Sequence, residues 1–137
     1  GGGLGAGEVE KLLAKLGHVN PALRQKAALA LRDASGLHDA VIVPALVKMV
    51  VDPALAPAPR RAAVQALGAI GVAAVPAVVD ALRAADNPVG RASAVKAITA
   101  VYVNFPAERA VVGGGVLRAL EAVVGVEMAA DVTVAGA

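Results

Sequence analysis

The residues able to do chemistry are few in this chain of 137, which contains two histidines and no cysteine. His18 and His38 lie twenty positions apart, a spacing that matches no zinc pattern, and a metal would need further convergent ligands. Each sits at a helix boundary, His18 after Gly17 and His38 before Asp39, which fits capping or plain exposure. Ser35, His38 and Asp39 have the residue types of a hydrolase triad. They crowd into one loop, no GxSxG elbow presents a nucleophile, and hydroxyl activation needs a base and an orienter arranged in space. Glycine-rich GGGLGAG at the start and Gly113-Gly114-Gly115 before a helix suggest phosphate cradles, yet neither follows a strand pattern and no GKS or GKT follows. The triple glycine reads as a flexible hairpin turn. Glu8 and Glu10 share a terminal turn, and Asp80 and Asp86 flank a loop, so the carboxylates read as a solvated surface. Without cysteine there is no thiolate nucleophile, disulfide, iron–sulfur cluster or thiolate zinc site. Catalytic, cofactor-binding and metal-ligating residues are therefore each read as none.

Composition narrows the classes further. Thirteen Lys and Arg oppose eleven Asp and Glu, a net charge of +2 that is too balanced for a nucleic-acid protein. One Tyr, one Phe and no Trp cannot build a stacking platform for bases or an aromatic cage. The length fits one domain. Residues 62–79 are uncharged for eighteen positions, long enough on length alone to span a membrane. Gly68, Gly71 and Pro76 interrupt the run and alanine makes it weakly hydrophobic, so it reads as two short buried helices joined at Gly71. Residue 1 is Gly, not Met, which implies a processed or partial chain, with a removed targeting peptide as one source of such a start.

The elements that position these residues follow from a repeat. LRQKAALAL from Leu23, PRRAAVQAL from Pro59 and GRASAVKAI from Gly90 align without gaps. Anchored on Leu31, Leu67 and Ile98, the register places Arg24, Arg60 and Arg91 seven positions earlier. It also places Ala27, Ala63 and Ala94 four earlier and Ala30, Ala66 and Ala97 one earlier. Offsets of seven, four and one lie on one face of a helix, so each copy carries a small-residue seam. Starts are marked by Asn20-Pro21, by Pro57 and Pro59, and by Asn87-Pro88, because Asn caps early amides and Pro suits a first turn whose amides lack partners. Second helices are expected from Val43, Val75 and Gly115, after breaks at Gly36 and Gly71 in the first two copies. The expected fold is all-α, a solenoid of about three stacked helical hairpins. Its units are a Gly-rich start with a capping helix over 1–19, repeats over 20–52, 56–85 and 87–124, and a partial fourth or capping element over 126–137.

Arg24, Arg60 and Arg91, each followed by small residues and an Ala-Leu or Ala-Ile pair, with APRRAAVQALGAIGVAAVPAVVDAL as the clearest unit, resemble HEAT repeats. The segment DNPVGRASAVKAITAVYVNFPAE, residues 86–108, is similar to the bilin-lyase-type HEAT-like repeats of cyanobacteria and chloroplast-bearing organisms. The resemblance covers residues 20–124. It implies a HEAT/armadillo-like superhelix that binds proteins, with one branch assisting bilin attachment to phycobiliproteins or antenna turnover. No catalytic residues carry over.

The expected function is a non-catalytic scaffold or adaptor that docks on another protein, as a subunit or assembly factor of a photosynthetic complex. The alternative is a subunit of a phycobilin lyase or a chromophore chaperone. Expected partners are proteins, with no nucleic acid and no membrane span, though peripheral association stays open. The expected home is the chloroplast, soluble or at the thylakoid surface, or else the cyanobacterial cytoplasm. Second helices commonly line the concave face of a solenoid, which makes Lys48, Asp80, Arg83, Arg118 and Glu121 the expected partner contacts. Arg24, Arg60 and Arg91 read as a structural ladder pairing with Asp52 or Asp86 at the inter-repeat loops, in preference to a basic ladder for an acidic partner or a pigment propionate. Tyr102 and Phe105, the only aromatics, read as a staple of the third hairpin in preference to an interface anchor.

Overall fold

A computed structural model describes residues 5–108, 118, 120–122 and 125, with the side chains of all but 6, 35–39 and 108. Five α-helices follow in order: α1 (Ala6–Lys15), α2 (Pro21–Val51), α3 (Pro57–Ile70), α4 (Val75–Ala84) and α5 (Pro88–Asn104). Short 3₁₀ turns occupy Val72–Ala74 and Pro106–Glu108. The fold is an all-α solenoid.

The starts of α2, α3 and α5 obey one local rule. Pro21, Pro57 and Pro88 each occupy the first helical position, where a missing N–H removes no intrahelical bond. Asn20 accepts from the amide of Ala22 at 2.9 Å and Asn87 from that of Gly90 at 2.6 Å, so two of the three starts carry a side-chain cap. The third N-cap is Ala56 and has none. Small-residue seams then bring the first helices together. Ala27, Ala63 and Ala94 are buried, as are Leu31, Leu67 and Ile98, and α3 packs chiefly on α2 and α5. The N-terminal α1 closes the stack against α2 by burying Val9, with Leu16 just beyond its end also buried.

Gly68 sits at the closest approach of α3 and α5. A Cβ built there would stand 2.6 Å from the Ala100 Cβ, inside any real carbon contact. Gly71 ends α3 with φ +96°, a left-handed conformation that side-chain-bearing residues rarely adopt, and the chain bends by 116° between α3 and residues 72–84. The uncharged run at 62–79 is thus two helices with largely buried inner faces, and among the described residues no single helix is long and apolar enough to cross a membrane.

Three expectations are corrected. Gly36 makes no break: α2 continues through it for 31 residues and carries Pro44 in its interior instead of in a first turn. A lone glycine costs a helix only about 1 kcal/mol. Leu31 and Ile42, both buried, lie eleven residues apart, about three turns, so an unbroken helix keeps its seam on the core. In the second copy, by contrast, a glycine at positive φ forces the turn. The second correction is that α3 and α4 make little mutual contact and so form no tight hairpin, since α4 packs mainly on α5 and α2. The third concerns the aromatics. Tyr102 is buried, but the Phe105 ring lies against Gly71, within 2.9 Å of where a Cβ would stand, and so covers the turn of the preceding copy. The Gly113-Gly114-Gly115 turn, the tail at 126–137 and the side chains of Ser35, His38 and Asp39 lie outside the described residues.

Gly68→Ala should lower the unfolding free energy by about 1 kcal/mol in urea denaturation, because overpacking by about 1–3 kcal/mol exceeds the gain of about 1 from helix propensity. Gly7→Ala, at an open position of α1, should raise it by about 0.5 kcal/mol. Stabilisation by both substitutions would contradict the close α3–α5 approach.

Candidate functional site: a clamped helical stack with two faces

The three repeat arginines share one position, four residues after the N-cap of their helix: Arg24 after Asn20, Arg60 after Ala56 and Arg91 after Asn87. From there each guanidinium reaches back over the loop that leads into its own helix. Arg24 Nη1 donates to the carbonyl oxygens of His18 at 2.7 Å and Val19 at 3.2 Å. Arg60 Nη1 donates to those of Asp52 at 3.3 Å and Leu55 at 3.0 Å. Arg91 Nε donates to that of Ala85 at 3.0 Å. Asp52 and Ala85 are the C-cap residues of α2 and α4, where carbonyls have lost their helical donors. A cation at a helix C-terminus also meets the negative end of the helix dipole.

This geometry replaces the expected pairing with the carboxylates of Asp52 and Asp86. The Asp52 carboxylate instead accepts from the amide of Ala54 at 2.9 Å, and Asp86 Oδ1 has a long contact of 3.5 Å with Asn87 Nδ2. The physical reason is local. A short aspartate that folds onto its own turn is already engaged, whereas loop carbonyls need donors and a long guanidinium reaches them. Among the described residues the one ion pair is Arg32–Asp33, at 2.8 Å on an exposed surface.

His18 belongs to the same turn. Its Nδ1 accepts from the amide of Asn20 at 3.0 Å while its carbonyl receives Arg24, so the ring and the backbone together shape the entrance to α2. That agrees with a capping role. Among the described residues no group of three or more acidic or imidazole side chains converges as a metal site would require.

The expected partner contacts lie on the second-helix side. Lys48 on α2 and Asp80 and Arg83 on α4 are all exposed, and the two helices pack on each other. Arg118 is helical and exposed, and Glu121 is helical and half-buried, next to a buried Leu120. The structure brings no two of these five charged groups into an ion pair. Less expected is the opposite side, where clefts run between successive first helices. One of about 440 Å³ separates Gln25 and Leu29 on α2 from Gln65 and Ala69 on α3. The next, of about 350 Å³, separates Arg60 and Arg61 on α3 from Val89 and Lys96 on α5. The sequence signal for this face was the exposed i, i+4 pair Arg61 and Gln65, one and five positions after the repeat arginine.

Residues 9–99, from α1 into α5, match the family model described as HEAT repeats. A curated relative, the uncharacterized phycocyanin operon protein Z of Pseudanabaena tenuis, is 35% identical over 100 residues, covering 73% of this chain and 47% of the relative. The chain therefore spans about half the length of the curated relative it matches. No solved structure matches it.

Arg60→Ala should destabilise the chain by about 1.5–3 kcal/mol, the range for charge-assisted hydrogen bonds, because it strands two loop carbonyls. Asp52→Asn should change stability by less than about 0.5 kcal/mol, since an amide oxygen can still accept from Ala54. Thermal and urea melts check both. A large loss in Asp52→Asn with a small one in Arg60→Ala would restore the carboxylate pairing.

Proposed function

The chain belongs to the HEAT-repeat family, and from that premise we propose that it is a non-catalytic adaptor that holds another protein within a photosynthetic antenna assembly. The observation that carries this reading is the use the fold makes of its polar residues. The repeat arginines and His18 serve turns and helix ends, and what remains presented is a stacked helical surface. Such stacks offer extended faces to protein partners. The partner contacts proposed are Lys48, Asp80, Arg83, Arg118 and Glu121 on the second-helix side. The antenna assignment draws on the relative from a phycocyanin operon, and the home proposed with it is a chloroplast or a cyanobacterial cytoplasm.

A second reading rests on the same relative together with the resemblance of residues 86–108 to bilin-lyase-type repeats. In it the chain is one subunit of a lyase or chromophore chaperone.

Purified chain is titrated against holo- and apo-phycocyanin subunits, with free phycocyanobilin added to the apo arm. The adaptor reading expects binding to the holo-subunits with an unchanged absorption spectrum, weakened on the order of fivefold by Lys48→Glu with Arg83→Glu. Faster covalent colouring of the apo-subunits in the presence of the chain would favour the lyase reading. Failure to bind either form would overturn the antenna assignment.

A further inference from the structure

The near-balance of charge in the whole chain hides a strong local asymmetry. The first-helix stretches, residues 21–34, 57–70 and 88–104, contain seven of the thirteen cationic residues and one of the eleven acidic ones. That one acid, Asp33, is tied to Arg32. The second-helix stretches at 40–51 and 75–84 hold only Lys48, Asp80 and Arg83.

The clefts focus this charge. Arg24, Arg61 and Gln65 line a groove of about 270 Å³ between α2 and α3, and Arg61 continues into the α3–α5 cleft beside Arg60 and Lys96. No carboxylate lines any of these three grooves. The acceptors of Arg24 and Arg60 are backbone carbonyls, which satisfy hydrogen bonds without cancelling charge. Arg61 makes only a long contact of 3.4 Å to the Pro57 carbonyl, and both Arg61 and Lys96 are exposed. Leu29 and Val89, 40% and 41% exposed, line the first and second of these clefts, so aliphatic surface stands beside the cationic groups.

From this arrangement we infer that the first-helix face is a second docking surface, and that its occupant is an acidic, aliphatic-flanked segment of a partner protein. Carboxylates would meet the guanidinium of Arg61 and the ammonium of Lys96. The amides of Gln25 and Gln65 offer donors and acceptors suited to peptide backbone. A second copy of this chain does not fit, because its described helices present no acidic face: Glu8 and Glu10 share α1 with Lys11 and Lys15, and Asp80 shares the second-helix side with Lys48 and Arg83. Nucleic acid is disfavoured because no aromatic residue lines the grooves to stack a base. The inference deepens the adaptor reading by adding a face and a partner chemistry, and it rests on that reading only for the existence of partners.

The test is fluorescence anisotropy of the full chain with labelled poly-L-glutamate, single-stranded DNA and phosphatidylglycerol vesicles, at two salt concentrations. Two double variants with equal charge change are compared, Arg61→Glu with Lys96→Glu and Lys48→Glu with Arg83→Glu, and circular dichroism checks that each folds. A milder pair, Arg61→Gln with Lys96→Gln, serves should the first fail to fold. The expected result is poly-L-glutamate binding that weakens with salt, falls about tenfold in the first variant or about threefold in the milder one, and changes less than about twofold in the second. Equal losses in both charge-reversed variants, no poly-L-glutamate binding, or tighter binding to DNA or vesicles would overturn it. Phycocyanin capture by the same variants separates the two proposals: wild-type chain that binds poly-L-glutamate at this face but captures no phycocyanin leaves the face standing and removes the antenna assignment.

Discussion

Everything in this molecule depends on how closely its first helices approach one another. Alanine buries little surface per residue, so a chain this rich in it must recover stability from dense contact between backbones. Ala63 and Ala66 on α3 and Ala94 and Ala97 on α5 are fully buried, and Gly68 leaves no room for even one more methyl group beside Ala100. Such short distances are useful only if the helices are also held in one orientation. The arginine clamps supply that: Arg60 and Arg91 tie their helices to the ends of α2 and α4, and Arg24 ties α2 to the turn at His18 and Val19. Stacking and clamping repeat with the sequence register, which is why the repeat is visible in both.

Much of this was legible in the residues. The Asn-Pro and Pro signals located the starts of α2, α3 and α5 to within a residue or two, since capping chemistry is local and depends on few atoms. The alanine seam was legible because helical period projects offsets of seven, four and one onto one face. Less legible were features decided by competition between distant groups. Gly36 has the same identity as Gly71, but only Gly71 adopts a left-handed conformation with an aromatic ring packed over it. The acceptors of the arginines were misassigned: charge suggested Asp52 and Asp86, while the loop carbonyls that accept from them leave no mark in a sequence. Phe105 was placed on its own hairpin because sequence proximity says nothing about the neighbouring copy.

The two sides of the stack differ in kind. The second-helix side carries a sparse mixture of both signs at Lys48, Asp80 and Arg83, and the first-helix side concentrates one sign within grooves. For an adaptor, that difference allows two partners to be told apart by electrostatics while one rigid core fixes their spacing. The contrast between the two sides was only half legible for this reason. Solenoid geometry points to the second helices, whereas the cationic grooves emerge only once α2, α3 and α5 are set side by side.

Packed in this way, α2, α3 and α5 should form one cooperative unit closed by alanine and glycine contacts. Native-state hydrogen exchange tests it most directly, because amides within one cooperative unit open together. Amides within α3 and α5 are expected to be among the slowest in the chain and to share a common opening free energy with those of α2 around Leu31. Independent opening of α5, with α2 and α3 still protected, would contradict this and reduce the seam to a passive contact.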